Sequence, residues 1–196
     1  MSAVFVTYNP NATSPVSVGQ LGSGTAPNPV AVLTLSSTEE ALIVANDPTS
    51  ILVDTTTSPP SVVSNPNFWT QRGSYYISKQ IAVVTAGFKA ALAAPFPFTN
   101  AAGVATSYAT DSNSLFIYSQ AYTNYILGGE TLPTGFTIRD INGTSQTFTT
   151  ADIKGLYTGI VNFTQACNAQ FNSLVANIKA STSYSQCVSY TWTTPS

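Results

Sequence analysis

The stretch from residue 135 to residue 180 constrains the fold more than any other part of the sequence. Within it, apolar residues recur at three- and four-residue steps, namely Ile153, Leu156, Ile160, Phe163, Cys167, Phe171, Leu174 and Ile178. This spacing places them on one face of an α-helix of about 28 residues, about 42 Å long at 1.5 Å per residue. A small hairpin cannot cover so long an apolar stripe. The rest of the chain, or another copy of it, must therefore cover it.

The residues just before this helix have the pattern of a β-hairpin. Apolar and polar residues alternate on both sides of Asn142-Gly143, and Asn-Gly favours the positive φ values of a tight type I′ turn. Thr149, followed three residues later by Asp152, makes an approximate capping box. The sequence therefore predicts a hairpin that runs directly into the long helix.

Two further helical segments precede the hairpin. Apolar residues share one face from Ser74 until Pro95 ends the first of these helices. PFPFTNAAGVATSY then predicts an extended link into a short strand at 104–108, after which Asp111 or Ser112 caps a helix that Gly128-Gly129 closes. The inner side predicted for that helix consists of Leu115, Tyr118, Tyr122, Tyr125 and Ile126.

The first part of the chain has the pattern of short strands. We predict strands at 3–8, 30–35, 51–53 and 61–63, and a short helix from Ser37 or Thr38 to Asn46. Asn, Pro, Gly and Ser dominate residues 9–29, which predicts an irregular, extended arm. This arm is either a flexible loop or a segment that orders against a neighbouring subunit.

Together these patterns predict an α+β fold in two parts. A β-rich N-terminal segment with an extended arm occupies residues 1–68. A mainly helical domain, with the hairpin before its long last helix, occupies residues 69–196 and ends in a C-terminal strand or arm that docks on the rest of the domain. The four aromatic and basic residues that we take as interface candidates lie at the junction and in this tail: Trp69, Arg72, Tyr190 and Trp192. For Trp69 beside Arg72, the alternatives are a ligand-stacking site and an anchor packed between the two halves.

The charge content favours a role in an assembly. Only 7% of the 196 residues are charged, against about 25% in typical soluble proteins. Ser, Thr, Asn and Gln must therefore cover the surface, and such neutral surfaces meet without desolvating charges. The net charge is −2 and the six basic residues are isolated from one another, so we expect no nucleic-acid partner.

The residue types present argue against catalysis. The chain has no histidine, which removes the commonest general base and metal ligand. The acids are scattered, at Asp47, Asp54, Glu130, Asp140 and Asp152 among others, so an enzyme would need a glycosidase-type pair that only the fold brings together. We expect no enzymatic activity, no cofactor and no metal.

The two cysteines leave two interpretations open. Cys167 lies in the long helix and Cys187 in the tail that follows it, so the two could form a disulfide, or both could be small buried thiols. The N-terminus lacks the basic and apolar regions of a signal peptide, and no run of 18 apolar residues occurs. We therefore expect synthesis in the cytoplasm and no membrane insertion.

The order of elements over about residues 74–181 resembles a family of phage-tail domains, the domain of unknown function 4376. Three phrases carry the resemblance: Tyr108-Ala109-Thr110-Asp111, the start of the hairpin from Phe136 to Asp140, and Phe148-Thr149-Thr150-Ala151-Asp152-Ile153. Phe136 stands where that family commonly has a tryptophan. The family offers no catalytic residues to carry over.

This resemblance implies a structural component of a bacteriophage tail, in a fibre or near the baseplate, that mediates assembly or attachment and is located in the virion. The implied partners are other tail proteins and further copies of the chain, as a trimer or hexamer. The near-heptad stripe from Ile153 to Ile178 would suit such a contact, unless it packs within its own chain. The alternatives are a tail-fibre assembly chaperone and a carbohydrate-binding module for a host surface glycan.

Overall fold

Every strand predicted in the first part of the chain joins one antiparallel sheet in the computed structural model of the protein, which describes residues 4–25, 31–35 and 47–195. The five strands follow the order β3-β1-β2-β4-β5 across the sheet. Their bounds are β1 (Val4–Tyr8), β2 (Val16–Ser23), β3 (Val32–Thr34), β4 (Ile51–Asp54) and β5 (Ser61–Ser64). The sheet buries a small aliphatic core of Val6, Val16, Leu35, Ile51, Val53 and Val62.

The arm predicted at 9–29 is wrong over Val16–Ser23, because these residues form β2. This strand pairs with β1 from Val18 onward and with β4 at Val16 and Ser17. Gly22 lies opposite Phe5, and a Cβ atom at position 22 would collide with the Phe5 ring. The glycine that makes this stretch resemble a loop is therefore needed for cross-strand packing. The helix predicted up to Asn46 lies outside the described residues.

The second part of the chain is mainly helical, so the α+β prediction is confirmed. Its elements are α1 (Phe68–Ala93), β6 (Phe96–Thr99), β7 (Ala105–Tyr108), α2 (Ser112–Tyr122) with a π-helical turn at Thr123–Leu127, β8 (Thr137–Arg139), β9 (Ser145–Thr147), α3 (Thr150–Lys179) and α4 (Tyr184–Ser189). The chain divides into two compact units, Met1–Ser74 and Tyr75–Ser196, against a predicted boundary between residues 68 and 69. None of the helices among the described residues combines the length and apolar character that a bilayer crossing needs.

The first long helix begins earlier than predicted and ends where predicted. α1 starts at Phe68 rather than near Ser74, and it stops at Ala93, just before Pro95. The Thr110 hydroxyl donates to the carbonyl oxygens of Leu92 and Ala94, at 3.0 and 3.1 Å. The residues that we predict as an extended link form β6, which pairs with β7 in a second antiparallel hairpin.

The predicted hairpin is present, but its turn is not a two-residue type I′ turn. Arg139 pairs with Ser145, so the loop contains residues 140–144. Within it, the Asp140 N–H donates to the Thr144 carbonyl at 3.0 Å, and the Gly143 N–H donates to the Asp140 carbonyl at 3.0 Å. The side chain of Asp140 organises this wider loop, a contribution that the Asn-Gly pair does not reveal.

The long helix has the predicted extent, and its stripe faces its own chain. α3 contains 30 residues, and Thr149 and Asp152 form the predicted capping box. Five stripe residues are buried within the chain, namely Ile153, Leu156, Ile160, Cys167 and Ile178. The Phe171 ring stacks on Phe88 of α1, with 4.7 Å between the ring centroids. The stripe is therefore largely occupied by intramolecular packing.

The strand or arm predicted after Ala180 is wrong over Tyr184–Ser189, because these residues form the helix α4. The Ser183 side chain accepts a hydrogen bond from the Gln186 N–H at 3.3 Å and so caps the helix, which buries Cys187. The predicted docking of the tail is confirmed, since the Gln80 side-chain amide donates to the Tyr190 carbonyl at 2.7 Å.

Candidate functional site

The acidic residue at the start of α3 is engaged by four hydrogen bonds within the domain. Asp152 is 4% exposed. One carboxylate oxygen accepts from the Ala101 N–H at 2.6 Å, and the other accepts from the Thr149 N–H at 2.8 Å and the Thr149 hydroxyl at 2.6 Å. The Asp152 N–H in turn donates to the Thr149 hydroxyl at 3.2 Å. This carboxylate fixes the β6–β7 loop on the end of α3 and has little capacity left for a substrate.

Asp140 has the corresponding role in the β8–β9 hairpin. Its carboxylate accepts from the N–H groups of Asn142 at 2.9 Å and Thr144 at 3.0 Å, and from the side chains of Gln146 at 3.1 Å and Thr106 at 3.2 Å. Desolvation alone would raise the pKa of Asp140, but these hydrogen bonds outweigh it and the pKa lies below its usual value. A carboxylate with this many donors is an anchor for the loop rather than a general acid.

Tyr108 is the largest fully buried side chain of the domain and lies beside these two acids. Its ring packs edge-to-face on Phe148, with 5.4 Å between centroids. No described residue hydrogen-bonds to its hydroxyl. Burial, followed by electrostatic interactions with Asp140, Tyr118 and then Asp152, raises the pKa of Tyr108 to about 12, so the phenol stays neutral at physiological pH.

The thiols and acids of the described residues do not converge on a metal-binding arrangement. Cys167 and Cys187 are both free and fully buried, which corresponds to the second of the two interpretations from the sequence. Burial raises the pKa of both thiols, so neither is an activated nucleophile.

The tyrosines of α2 and of the π-helical turn after it pack into or against the core of the domain. Tyr118 is 4% exposed, Tyr122 stacks on Tyr157 with 4.4 Å between centroids, and Tyr125 packs edge-to-face on Phe136. By contrast, Leu115, predicted on the inner side, is 36% exposed.

Of the four predicted interface residues, Trp69 and Arg72 lie in the first turns of α1. The Arg72 guanidinium pairs with the carboxylate of Asp47 at 2.8 Å, and Asp47 also caps the short helix that begins at Pro48. Trp69 lies over Gly73 in the next turn of the helix. These two residues therefore have structural contacts within the first unit, and a role in binding stays a prediction.

Tyr190 and Trp192 belong to the segment that folds back on α1. The Trp192 ring packs edge-to-face on Phe88, with 5.8 Å between centroids, and directly against Gly87. Trp192 also lines a cavity of about 600 Å³ with the alanines of the last turns of α1, Pro95, Phe96 and Phe163. Its walls are almost entirely apolar, so the cavity offers few polar groups to orient a ligand.

A second concave surface, which we call the α2–α3 groove, has a volume of about 410 Å³. It is lined from α2 by Ser112, Leu115, Phe116, Tyr118 and Ser119, and from α3 by Tyr157, Ile160, Val161, Thr164 and Gln165. None of these residues is charged. Phe116 is 60% exposed and the adjacent Ile117 is 47% exposed.

This groove was not predicted from the sequence, because only an inner side was assigned to α2. The signal was available: Leu115, Phe116, Ile117 and Tyr118 are consecutive, so apolar side chains point in all directions around the helix. A helix with that pattern needs cover on more than one side.

The fold and the site define an α+β protein with a charge-poor helical domain, apolar concave surfaces and buried carboxylates that are held by hydrogen bonds. The chain belongs to the family described as Domain of unknown function (DUF4376), whose profile matches residues 78–190. Comparison with curated proteins and with solved structures gave no match.

The three phrases that carry the family resemblance now have structural roles. Asp111 caps α2, Phe148 and Tyr108 form the aromatic core, and Asp140 and Asp152 anchor the two hairpins. The phrases therefore contribute caps, core packing and loop anchors to the domain.

Proposed function

We propose that this protein is a structural component of a bacteriophage tail, in a fibre or near the baseplate, and that it acts in assembly or attachment within the virion. The family that the chain resembles in sequence occurs in tail-fibre and tail-fibre assembly proteins, and this resemblance supports the phage context. The observation that carries the assembly role is the chemistry of the exposed surface.

The second unit exposes apolar side chains on several of its elements, in a chain with few charged residues. Among the described residues, every exposed large hydrophobic side chain lies in the unit Tyr75–Ser196, namely Tyr75, Val83, Val104, Leu115, Phe116, Ile117, Leu127 and Ile141. Contact through such a surface removes apolar area from water and leaves few charges to desolvate. These are the properties of surfaces that stay bound in a permanent assembly.

We further propose that the protein is not an enzyme. The chain lacks histidine, and Asp140 and Asp152, the acids closest to the core of the domain, accept several hydrogen bonds each. The partners that we propose are other tail proteins and further copies of this chain. The proposal includes no cofactor, no nucleic acid and no membrane insertion.

A tail-fibre assembly chaperone is the second candidate, because an apolar groove between two helices is suited to hold a helix of another protein transiently. Co-expression with the adjacent fibre gene distinguishes the two. A chaperone is required for soluble, trimeric fibre and then dissociates, whereas a structural component remains in the complex at a fixed ratio.

The direct test is deletion of the gene in the phage that encodes it. We expect particles with incomplete or non-infective tails in electron micrographs, and rescue when the chain is supplied in trans. Infective particles with complete tails from the deletion strain would contradict the proposal.

A further inference from the structure

We infer that the α2–α3 groove binds helix α2 of a second copy of this chain, in a two-fold, four-helix contact. The inference goes beyond the proposed function, because it names one surface and its partner. It would stand whether or not the chain is part of a virion.

Helix α2 exposes apolar side chains on the side that faces away from the core of its own chain. Tyr118 and Ala121 face the core, whereas Phe116 is 60% exposed, Ile117 47% and Leu115 36%. The consecutive apolar residues Leu115–Tyr118 point in different directions around the helix, so the core of one chain covers only part of this turn.

The groove has a shape that suits a helix. Its α3 wall runs from Tyr157 to Gln165, about 12 Å or two helical turns. Its lining positions on both helices recur at three- and four-residue steps, as in grooves that receive a third helix. The exposed apolar side chains of α2, namely Leu115, Phe116 and Ile117, span about one turn and fit within this length.

The uncharged lining of the groove favours an uncharged occupant. The sequence carries no charged residue from Ser112 to Gly129, nor from Gly155 to Ile178. A partner with a charged helix would have to lose water from those charges with no opposite charge to meet. Helix α2 of a second copy brings none. Asp111, the nearest acid, is already engaged in capping α2 through Asn113 and Ser114.

The surface around the groove can be complementary to a second copy of itself. In a two-fold contact the same patch must serve as both partners. Here one surface holds an uncharged groove and, as part of its wall, the exposed apolar side chain of Phe116. The stripe of α3 is not available for this purpose, because Ile153, Leu156, Ile160, Cys167 and Ile178 are buried in their own chain.

Sedimentation velocity of the full chain over a wide concentration range tests the inference. Wild type should sediment above the 20.6 kDa monomer in a concentration-dependent manner. Phe116→Asp should weaken association by at least about thirtyfold. Val83→Asp is the matched control, since Val83 is 57% exposed on α1 outside the groove, and it should behave as wild type. Circular dichroism verifies that both variants keep their helices.

Disulfide cross-linking gives an independent readout that leaves the apolar anchors in place. Gln120 lies on the exposed side of α2, one turn after Phe116, and the inferred contact places it close to the Gln120 of the second copy. Gln120→Cys should therefore form a covalent dimer under mild oxidation, and Val83→Cys should not. The native thiols are buried and give little background. A wild-type chain that remains monomeric at every concentration, an oligomer that Phe116→Asp leaves intact, or a Gln120→Cys variant that yields no dimer would each overturn the inference.

Discussion

The carboxylate of Asp152 accepts a 2.6 Å hydrogen bond from the backbone N–H of Ala101, in the loop between β6 and β7. The same side chain closes the capping box with Thr149 at the start of α3. It thus ties a hairpin to a helix terminus, where the helix dipole favours a negative charge. A residue that the sequence identifies only as a local cap is therefore also a tertiary link.

Replacing Asp152 should lower the free energy of unfolding by more than the loss of an ordinary helix cap does. Asp152→Ala removes the cap and leaves the Ala101 N–H without its partner, so we expect the free energy of unfolding to fall by about 2–3 kcal/mol. Urea denaturation of the full chain measures this. Asp111→Ala is the control, because its carboxylate is exposed and bonds only within its own turn; equal losses from the two variants would contradict the tertiary role.

Tyr108→Phe should be neutral or stabilising by about 1 kcal/mol, although Tyr108 is fully buried and part of the family resemblance. The substitution keeps the aromatic packing and removes a hydroxyl to which no described residue hydrogen-bonds. Urea denaturation at neutral pH tests this. A loss of more than about 1 kcal/mol would mean that the hydroxyl has a hydrogen-bonded role in the core.

The same substitution should change the alkaline limit of stability. Because the pKa of Tyr108 is raised from 10.0 to about 12 in the folded chain, its contribution to stability is fully present below pH 10 and is lost as the pH rises through 12. Tyr108→Phe should therefore lose less stability than wild type over this range. Parallel curves for the two proteins, measured by urea denaturation at each pH, would contradict the raised pKa.

Asp140 should show the opposite pH dependence. Its pKa in the folded chain is lowered from 3.8, so its contribution is present above that value and is lost as the pH falls through the lower folded pKa. Asp140→Asn should lower the melting temperature near neutral pH, and the difference from wild type should shrink in acid. Melting curves from circular dichroism at a series of pH values measure this; a difference that stays constant with pH would oppose it.

Gly87→Ala should loosen the C-terminal segment. A Cβ atom at Gly87 would lie 2.6 Å from Cγ of Trp192, so the ring must move. Glycine to alanine within a helix otherwise gains about 1 kcal/mol. We expect no gain in the wild-type background, with faster proteolysis after residue 189, but recovery of the gain in a Trp192→Ala background. Additive effects of the two substitutions would rule out the contact as the cause.

Local patterns predicted the elements whose signals lie within a few residues. The helix of α3, its Thr149–Asp152 box and the Asp111 cap depend on spacing along one helix, and each was confirmed. β2 was missed because Gly22, which suggests a loop, is needed for packing against Phe5 on the neighbouring strand. α4 was missed because apolar and polar residues alternate in the tail as in a strand, although Ser183 caps a helix there.

The candidate surface was harder to predict for a related reason. Whether Phe116 is buried or exposed depends on which side of α2 packs on α3. Because Leu115–Tyr118 are all apolar, the spacing of apolar residues does not indicate which side is buried. The sequence did favour a neutral, assembly-type surface, but the position of that surface required the packing of two helices distant in sequence.

The proposal that this chain is a structural part of the phage tail can be tested by its presence in purified virions. Quantitative mass spectrometry of gradient-purified particles, from the phage whose genome encodes the chain, gives its copy number relative to known tail proteins. A structural tail protein should keep a constant ratio through purification, and this ratio should match threefold or sixfold tail symmetry. Absence from the particles, with abundant chain in the infected-cell lysate, would contradict a structural role and favour the assembly chaperone.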